Sequence, residues 1–256
     1  MPRAIWKAFV EFGPVSVPVK LYTAVKDVRP HSHLLHDADR QRLQQKMVCS
    51  EEETTVERDE TVKGYEVSRN EYVVVDPHEL DALEPEPSRG IRVVEFVEAD
   101  QVDPRYLDRT FFLGPDDDEQ MYVNLAESLR QTKRAGMCRW VMRDKSYVGV
   151  LQARDGLLRL ITHRHADEVV PQDSLTIKRV EPSKREVAIA RNLVKELGEP
   201  FQPEQYHDEY EAKLRHLIEQ KAQGKEVKLP KAKPAASTKD EDLVGVLEQS
   251  LKTLKR

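Results

Sequence analysis

Apolar and polar residues alternate along much of the first half of this chain, which is the pattern of β-strands with one buried face. Two such runs, at residues 4–12 and 15–21, are separated by Gly13 and Pro14, and this dipeptide favours a turn. Pro18 lies inside the second run and has no amide hydrogen to donate. We therefore predict that the second strand lies at a sheet edge or carries a bulge.

Two further strands are predicted at residues 71–76 and 91–97, where valine and aromatic residues are frequent. A short helix is predicted directly after the first of them. Asp76 is suited to cap that helix, Pro77 to begin it, and Glu79 to hydrogen-bond back to the cap. The chain therefore passes from a strand into a helix at this point.

Residues 26–61 are polar, rich in histidine and without a regular period, so we predict irregular structure there. A longer helix is predicted after Asp118, which can cap it. Its apolar stripe repeats at every fourth residue, in Met121, Leu125 and Leu129. We expect this helix to end at Gly136, because glycine favours the conformation that terminates helices.

Residues 137–143, 147–152 and 157–163 predict a three-stranded meander, with Asp155 and Gly156 as the hairpin turn between its last two strands. The period of two gives this sheet an apolar face and a cationic face. The cationic face carries Arg139, Arg143, Arg159 and His163.

The pattern becomes helical after residue 171. Ser183 and Glu186 form a capping box that opens a helix to Leu197. A second helix is predicted at residues 204–223, and Gly224 closes it. Its apolar stripe consists of Tyr206, Tyr210, Leu214, Leu217 and Ile218.

The last part of the chain divides into two segments. Residues 225–242 are rich in Lys, Pro and Ala and offer almost nothing to bury, so we expect disorder. Residues 243–256 predict a short amphipathic helix, which needs a partner surface because it is too short to be stable alone. Its leucines are Leu243, Leu247, Leu251 and Leu254.

The composition narrows the class of protein. Of the 256 residues, 39% are hydrophobic and 34% are charged, which is a low supply of core for this length. We expect an extended shape, a hollow shape or an obligate oligomer. No apolar run is long enough to cross a membrane, and the N-terminus lacks the apolar segment of a signal peptide. Cys49 and Cys138 make no disulfide framework, so we expect a reducing cytoplasm.

Charge is strongly segregated along the chain, although the formal net charge is only −5. Residues 129–165 hold nine Lys or Arg against two acidic residues, whereas residues 50–128 hold seven basic residues against 23 acidic ones. A local excess of positive charge attracts polyanions whatever the total charge. The alternative interpretation is a solvated basic face that binds nothing.

Three other kinds of site chemistry compete with anion binding. An acidic run at residues 116–119 could hold Mg²⁺ in a nuclease, although acidic residues also favour a helix start. A lysine could form a Schiff base with an abasic sugar, but no lysine stands out as a nucleophile. A set of three histidines and one cysteine could bind Zn²⁺, but its spacing matches no recognised zinc site with four protein ligands. We therefore predict that these are polar surface residues. That set is His31, His33, His36 and Cys49.

No phosphate-binding glycine loop, hydrolase motif or helix-turn-helix is present, so the basic residues are better interpreted as binders than as catalysts. Arg and Lys side chains on strands can pair with phosphate oxygens without reading the base sequence. The residues alone therefore indicate sequence-independent binding to duplex nucleic acid.

Short signatures follow one another along residues 2–226 in an order that resembles the bacterial Ku proteins. They include Arg3–Lys7, Phe12–Gly13, Val17–Tyr22, Val62–Glu66, Glu71–Val74, Phe96–Val97, Asp103–Pro104 with Tyr106, Val141–Arg143, Asp167–Val169, Phe201–Glu204, Tyr206, Asp208–Tyr210, Leu217–Ile218 and Gly224–Glu226. Many relatives carry a CxxC motif that suggests a metal-binding knuckle. Here Cys49 is followed by Ser50 and acidic residues, so we predict that no metal is bound.

The resemblance implies a mixed α/β, mainly β fold, in which a Ku-type β-barrel core and a helical C-terminal arm form a ring-shaped homodimer. The core would be residues 1–180 and the dimer-supporting arm residues 181–224. The disordered linker would be residues 225–242 and the terminal helix residues 243–256.

The resemblance also implies a function. Ku-like rings thread onto double-stranded DNA ends and recruit a multifunctional ATP-dependent DNA ligase for non-homologous end joining, and they are not the ligating enzyme. No cofactor is expected, and the protein would act in the cytoplasm on the nucleoid. The alternatives are a metal-dependent or lysine-based enzyme that processes DNA ends, and a protein–protein scaffold.

We predict that nine basic residues line the aperture of the ring and hold phosphates. They are Lys20, Lys26, Arg40, Arg42, Lys46, Lys133, Arg134, Arg143 and Lys145.

Overall fold

The structure is a computed structural model that describes residues 3–178 and 180–225. These residues fall into two compact units. Among the described residues, the first unit takes in residues 3–28 and 33–172, and the second takes in residues 29–32, 173–178 and 180–225. The predicted linker, apart from Lys225, and the predicted terminal helix lie outside the described residues.

Eleven strands and four α-helices form in the described part of the chain. The strands are β1 (Trp6–Phe12), β2 (Val15–Thr23), β3 (Met47–Val48), β4 (Thr55–Val56), β5 (Lys63–Ser68), β6 (Glu71–Val75), β7 (Gly90–Glu98), β8 (Leu107–Pro115), β9 (Arg134–Met142), β10 (Lys145–Arg154) and β11 (Leu157–His163). The helices are α1 (Pro77–Asp81), α2 (Glu119–Thr132), α3 (Lys184–Glu196) and α4 (Glu209–Ala222).

Seven strands close into a barrel in the order β1-β2-β8-β11-β10-β9-β7. Strands β1 and β7 are parallel, and every other neighbouring pair in the barrel is antiparallel. The strands β3–β4 and β5–β6 form two separate hairpins. The prediction of a mainly β fold with a barrel core is therefore confirmed.

The interior of the barrel is filled by alternate residues of its strands. The side chains that are 1% exposed or less include Val10, Val17, Val19, Leu21, Ile91, Leu113, Leu151, Leu158 and Leu160. Helix α2 connects the end of β8 to the start of β9, and it packs across that end of the barrel. Its buried side chains are Tyr122, Leu125, Ala126 and Leu129. Met121 of the predicted stripe is 36% exposed.

The predicted meander is confirmed, because β9 pairs with β10 and β10 pairs with β11. Both connections are two-residue turns in the left-handed region, with φ of 52° and 62° at Arg143 and Asp144 and of 53° and 76° at Asp155 and Gly156. Positive φ at both turn residues is typical of the hairpin turn that matches strand twist. The faces are as predicted: Arg139 is exposed, whereas Cys138 and Trp140 are buried.

The prediction that β2 is an edge or bulged strand is wrong. Strand β2 pairs with β1 on one side and with β8 on the other, without a register shift. Pro18 is tolerated because it lies where the ladder with β8 stops. Its carbonyl accepts a hydrogen bond from the amide of Asp116 at 3.2 Å, and the ladder pairs begin one residue later at Val19. The missing amide hydrogen therefore falls at the end of the ladder.

The predicted end of helix α2 is also wrong. The helix ends at Thr132, and Lys133 takes the left-handed conformation with φ of 52°. Gly136 lies inside β9 instead. A Cβ atom added there would come within 3.0 Å of Cγ1 of Val93 and 3.3 Å of the ring of Phe96. This glycine is thus required by the close packing of neighbouring strands.

The second unit contains α3 and α4. Helix α3 begins as predicted after Ser183, whose hydroxyl accepts a hydrogen bond from the amide of Glu186. Helix α4 begins at Glu209 rather than at residue 204, because Asp208 caps it. None of the residues in either helix is buried.

Among the described residues no helix has both the length and the apolar content that a bilayer-spanning segment needs.

Candidate nucleic-acid interface

The basic residues predicted from the segment 129–165 lie at two different ends of the barrel. Lys133 and Arg134 stand at the start of β9, whereas Arg143 lies in the turn after its end and Lys145 begins β10. A nine-residue strand at about 3.3 Å per residue separates the two pairs by roughly 27 Å. They therefore form two sites and not one cluster.

Five of the nine basic side chains in this segment are held by carboxylates. Arg130 pairs with Glu127 at 2.6 Å, Arg134 with Glu98 at 3.9 Å, and Arg164 with Asp108 at 2.8 Å. Arg154 and Arg159 both face Asp155. The hydrogen bonds from Arg130 and then from Gln131 lower the pKa of Glu127 to about 2. Within residues 3–178 and 180–225, the four basic residues of this segment without a salt bridge are Lys133, Arg139, Arg143 and Lys145.

The two ends of the barrel differ in their charge. A cavity of about 430 Å³ at the Lys133 end is lined by Lys133 and Arg134 but also by Glu98 and Asp100. A cavity of about 300 Å³ at the Arg143 end is lined by two arginines and one acid. Its lining residues are Trp6, Pro87, Ser88, Arg89, Val141, Met142, Arg143 and Asp144. The cavity at the Arg143 end is therefore the more cationic of the two cavities.

Lys20 lies on β2 directly opposite Lys7 of β1, and both ammonium groups contact one carboxylate. Nζ of Lys20 is 2.6 Å from Oδ1 of Asp116, and Nζ of Lys7 is 3.0 Å from its Oδ2. The hydrogen bond to Asp116 raises the pKa of Lys20, and the two lysines lower the pKa of Asp116. Lys20 thus shares one carboxylate with Lys7, and the three groups together keep a single positive charge.

The predicted residues between 26 and 46 lie on exposed, mostly irregular chain. Arg40 contacts Asp37 at 2.6 Å, in a pair whose side chains are 73% and 94% exposed. Lys26, Arg42 and Lys46 have no salt bridge within the part of the chain that the structure describes. Such exposed pairs are weak and can open when a polyanion arrives.

Arg89 and Arg92 were not among the binding residues predicted from the sequence, because both lie in the acidic segment, residues 50–128. Arg92 of β7 lies directly opposite Arg139 of β9 in the strand ladder, and both are exposed. Arg89 stands just before β7, where its carbonyl accepts a hydrogen bond from the amide of Phe9. A count of charges along the sequence does not detect these two arginines, because they come next to the basic segment only through the pairing of β7 with β9.

The acidic run at residues 116–119 has structural roles. Asp116 holds the two lysines, and the carboxylate of Asp118 accepts a hydrogen bond from the amide of Met121 at 2.9 Å as the cap of α2. In the described residues no three His, Cys, Asp or Glu side chains converge as a metal-ligand set would. The histidines and Cys49 are thus not brought together there.

Comparison with known proteins agrees with this architecture. Residues 11–189 match the family model of the Ku70/Ku80 beta-barrel domain, which covers most of the chain. The chain belongs to the Ku family. It is 42% identical over 248 residues to a protein of Geotalea uraniireducens named non-homologous end joining protein Ku 2, with 97% of each chain covered.

Other relatives carry the same kind of name. A protein of Koribacter versatilis, named non-homologous end joining protein Ku, is 36% identical over all of this chain and 88% of its own length. The protein of that name from Bacillus subtilis is 30% identical over 99% of this chain and 83% of its own length. The resemblance inferred from the short signatures is therefore confirmed.

Proposed function

We propose that this chain binds double-stranded DNA ends without regard to sequence and acts in double-strand break repair by non-homologous end joining. The observation that carries the proposal is the Ku barrel match over residues 11–189, together with relatives named for end joining along nearly the whole chain. The cationic surface at the Arg143 end of the barrel supports it, because fixed positive charge holds phosphates of any sequence.

We propose further that the working form is a homodimeric ring. Large apolar side chains are exposed on elements that pack against little else in the described residues. Tyr65, Val73 and Val74 of the β5–β6 hairpin are 50–58% exposed, and Val194 of α3 and Tyr210 of α4 are 70% and 74% exposed. Apolar surface of this extent favours burial against a second copy.

The nine predicted residues remain our proposal for the phosphate contacts, with Lys20 the weakest member because it pairs with Asp116 at 2.6 Å. Entry into a closed ring needs a free end. The test is a competition experiment in which the labelled linear duplex is challenged with the same sequence as a covalently closed circle. We expect the linear competitor to displace the label and the circle to fail. Equal displacement by both would contradict threading, and a monomer mass in solution would contradict the ring.

We also propose that the terminal residues 243–256 recruit the ATP-dependent DNA ligase and that the lysines of residues 225–242 add nonspecific DNA contacts. A chain truncated after residue 242 should bind linear duplex as tightly as the full chain but stimulate ligation less. Loss of duplex binding in the truncated chain would instead assign residues 243–256 to the DNA interface.

An end-processing enzyme is the weaker candidate function. The carboxylates of Asp116 and Asp118 already serve the lysine pair and the helix cap. The raised pKa of Lys20 also works against a nucleophilic amine. We therefore propose a binding protein that is not the ligating enzyme. Incubation of end-labelled duplex with Mg²⁺ should leave the label intact, and release of the label would favour the enzyme.

A further inference from the structure

Arg92 and Arg139 are directly opposed across the β7–β9 ladder, with both side chains on the exposed face. Cross-strand partners in an antiparallel pair are about 5 Å apart at Cα, and like charges at this distance repel each other. In the described part of the chain, no carboxylate oxygen lies within 4.0 Å of either guanidinium group. This pair therefore concentrates positive charge on the surface, and concentrated positive charge attracts anions.

A cavity that Arg92 and Arg139 do not line lies further along the same two strands, at the end of the barrel where β9 ends. The cavity of about 300 Å³ there is lined by Arg89 before β7 and by Arg143 in the turn after β9. Arg143 lies four residues beyond Arg139, and Arg89 lies three residues before Arg92. At 3.3 Å per residue, the backbone positions of these four arginines extend over about 13 Å along the paired strands β7 and β9. We call this set, Arg89, Arg92, Arg139 and Arg143, the arginine seam.

Acidic residues near the arginine seam do not neutralise it. Glu11 of β1 is the ladder neighbour of Arg92, but its carboxylate lies over Gly90, where an added Cβ would be 2.6 Å from Oε2. Asp144 lines the cavity beside Arg143. No salt bridge joins either acid to an arginine of the seam among the residues that the structure describes. Four guanidinium groups thus face two carboxylates, which leaves the seam positive.

We propose that the arginine seam is a phosphate-binding site for a DNA strand. Guanidinium groups bind phosphate oxygens through paired, charge-assisted hydrogen bonds. A length of about 13 Å spans roughly four nucleotides of one strand at 3.4 Å per nucleotide. This proposal rests on the proposed function. It assigns contacts to the barrel wall, where Arg89, Arg92 and Arg139 lie outside the nine residues predicted from the sequence.

The test compares two double variants with a matched control. Arg92→Gln with Arg139→Gln removes the opposed pair, and Arg89→Gln with Arg143→Asn removes the cavity pair. Asparagine is chosen because residue 143 has positive φ, which asparagine tolerates. The control, Arg109→Gln with Arg154→Gln, removes two barrel arginines whose side chains are 82% and 75% exposed and lie outside the seam.

Affinity for linear duplex should fall on the order of tenfold in each seam variant but not in the control. The log–log slope of affinity against salt should fall by about 0.9 for each phosphate that the variant no longer neutralises. Duplexes with a 5′-phosphate and with a 5′-hydroxyl distinguish a terminal phosphate from internal ones. Weaker binding to both duplexes assigns internal phosphates, and weaker binding to the phosphorylated duplex alone assigns the terminal phosphate. Affinities and slopes equal to those of the control on both duplexes would overturn the site.

A second measurement separates this site from a folding defect. Because Arg92 and Arg139 repel each other, Arg92→Gln should raise the Tm of the free protein by about 1–3 °C while it weakens DNA binding. Arg92→Lys should keep the salt slope, since the charge remains. A lowered Tm in Arg92→Gln would overturn the opposed-charge argument. Failure of the unaltered protein to bind linear duplex would contradict the proposed function itself.

Discussion

The hydroxyl group of Tyr122 accepts a hydrogen bond from the backbone amide of Leu158, with 2.9 Å between the two heavy atoms. The same hydroxyl donates to the carbonyl oxygen of Leu113 at 2.6 Å. Leu113 of β8 and Leu158 of β11 are ladder partners, so the phenol oxygen is inserted between two strands of the barrel. Helix α2 is thereby fixed to the barrel by a bridge that satisfies two buried backbone groups.

Tyr122→Phe should destabilise the barrel because it leaves an amide and a carbonyl unpaired in the interior. The expected cost is about 1–3 kcal/mol of unfolding free energy, the usual penalty for buried unsatisfied groups. Urea denaturation followed by circular dichroism measures it. The control is Tyr72→Phe, at a position 59% exposed on the β5–β6 hairpin, and it should be near neutral. Equal stability of the two variants would show that the bridge contributes nothing.

The same residue predicts how stability depends on alkaline pH. Burial raises the pKa of Tyr122 above its ordinary value of 10.0, so the folded protein keeps this proton at a pH where the unfolded chain loses it. Its contribution is fully present below pH 10 and is lost as pH rises through the folded pKa. Unfolding free energies measured between pH 8 and 11 should therefore fall more steeply in the unaltered protein than in Tyr122→Phe. If the unfolding free energies of the two proteins fell in parallel with pH, ionisation of Tyr122 would not be the cause.

Part of the strand pattern was predictable, because burial imposes a period of two on barrel strands. The meander after residue 137 shows that period, and residues 91–97 are rich in valine and aromatic residues; both appear as predicted, whereas β8 was not predicted. The predictions based on Pro18 and Gly136 were wrong for a different reason. Local rules assign proline to an edge and glycine to a helix end, whereas here each is determined by contacts with a strand far away in the sequence.

Gly149 of β10 is another position determined by tertiary contacts. A Cβ added there would clash with the carbonyl oxygen of Ile161 and lie 2.6 Å from Cη2 of Trp140. Because backbone and a buried indole cannot both move away, Gly149→Ala should cost about 3 kcal/mol or more of unfolding free energy. Gly64→Ala is the matched control, since its nearest contact would be an ordinary 3.4 Å from Tyr72. Chemical denaturation compares the two variants, and a near-neutral Gly149→Ala would refute the close approach.

The candidate interface was only partly predictable from charge counts. A count along the chain finds the basic segment 129–165 but cannot tell that five of its members are held by carboxylates. It also conceals Arg92, whose neighbours in sequence are mostly acidic or apolar but whose partner across the ladder is Arg139. For Arg92, Arg134 and Arg164 the neighbouring charge is set by strand pairing, which is a property of the folded barrel.

Lys20 and Lys145 test this distinction, because the sequence predicts the same role for both. Lys20 is held by Asp116, whereas Lys145 has no salt bridge in the described part of the chain. Lys145→Gln should weaken binding to linear duplex and reduce the salt slope by about 0.9, and Lys20→Gln should change both less. Asp116→Asn releases two ammonium groups, so it should strengthen binding at low salt. Anisotropy measurements over a salt series give the DNA affinity of all three variants. A larger loss of affinity in Lys20→Gln than in Lys145→Gln would contradict the assignment of Lys145 as the stronger phosphate contact.

The two cysteines differ in their surroundings. The backbone amides of Glu52 and then Glu51 donate hydrogen bonds to the Cys49 sulfur and lower the pKa of that thiol below its ordinary value of 9.0. Cys138 is fully buried in the barrel, and burial raises the pKa of its thiol to about 12. Because the thiolate is the reactive form, the two side chains should react at very different rates.

Iodoacetamide at pH 7.5 should therefore alkylate Cys49 in the native protein and leave Cys138 unmodified until the chain is unfolded. Mass spectrometry of the two tryptic peptides over time measures both rates directly. Cys49→Ser is the control, and the native variant should then take up almost no label. Labelling of Cys138 in the native protein at the rate of Cys49 would mean that the barrel opens readily, since only opening exposes that thiol to the reagent.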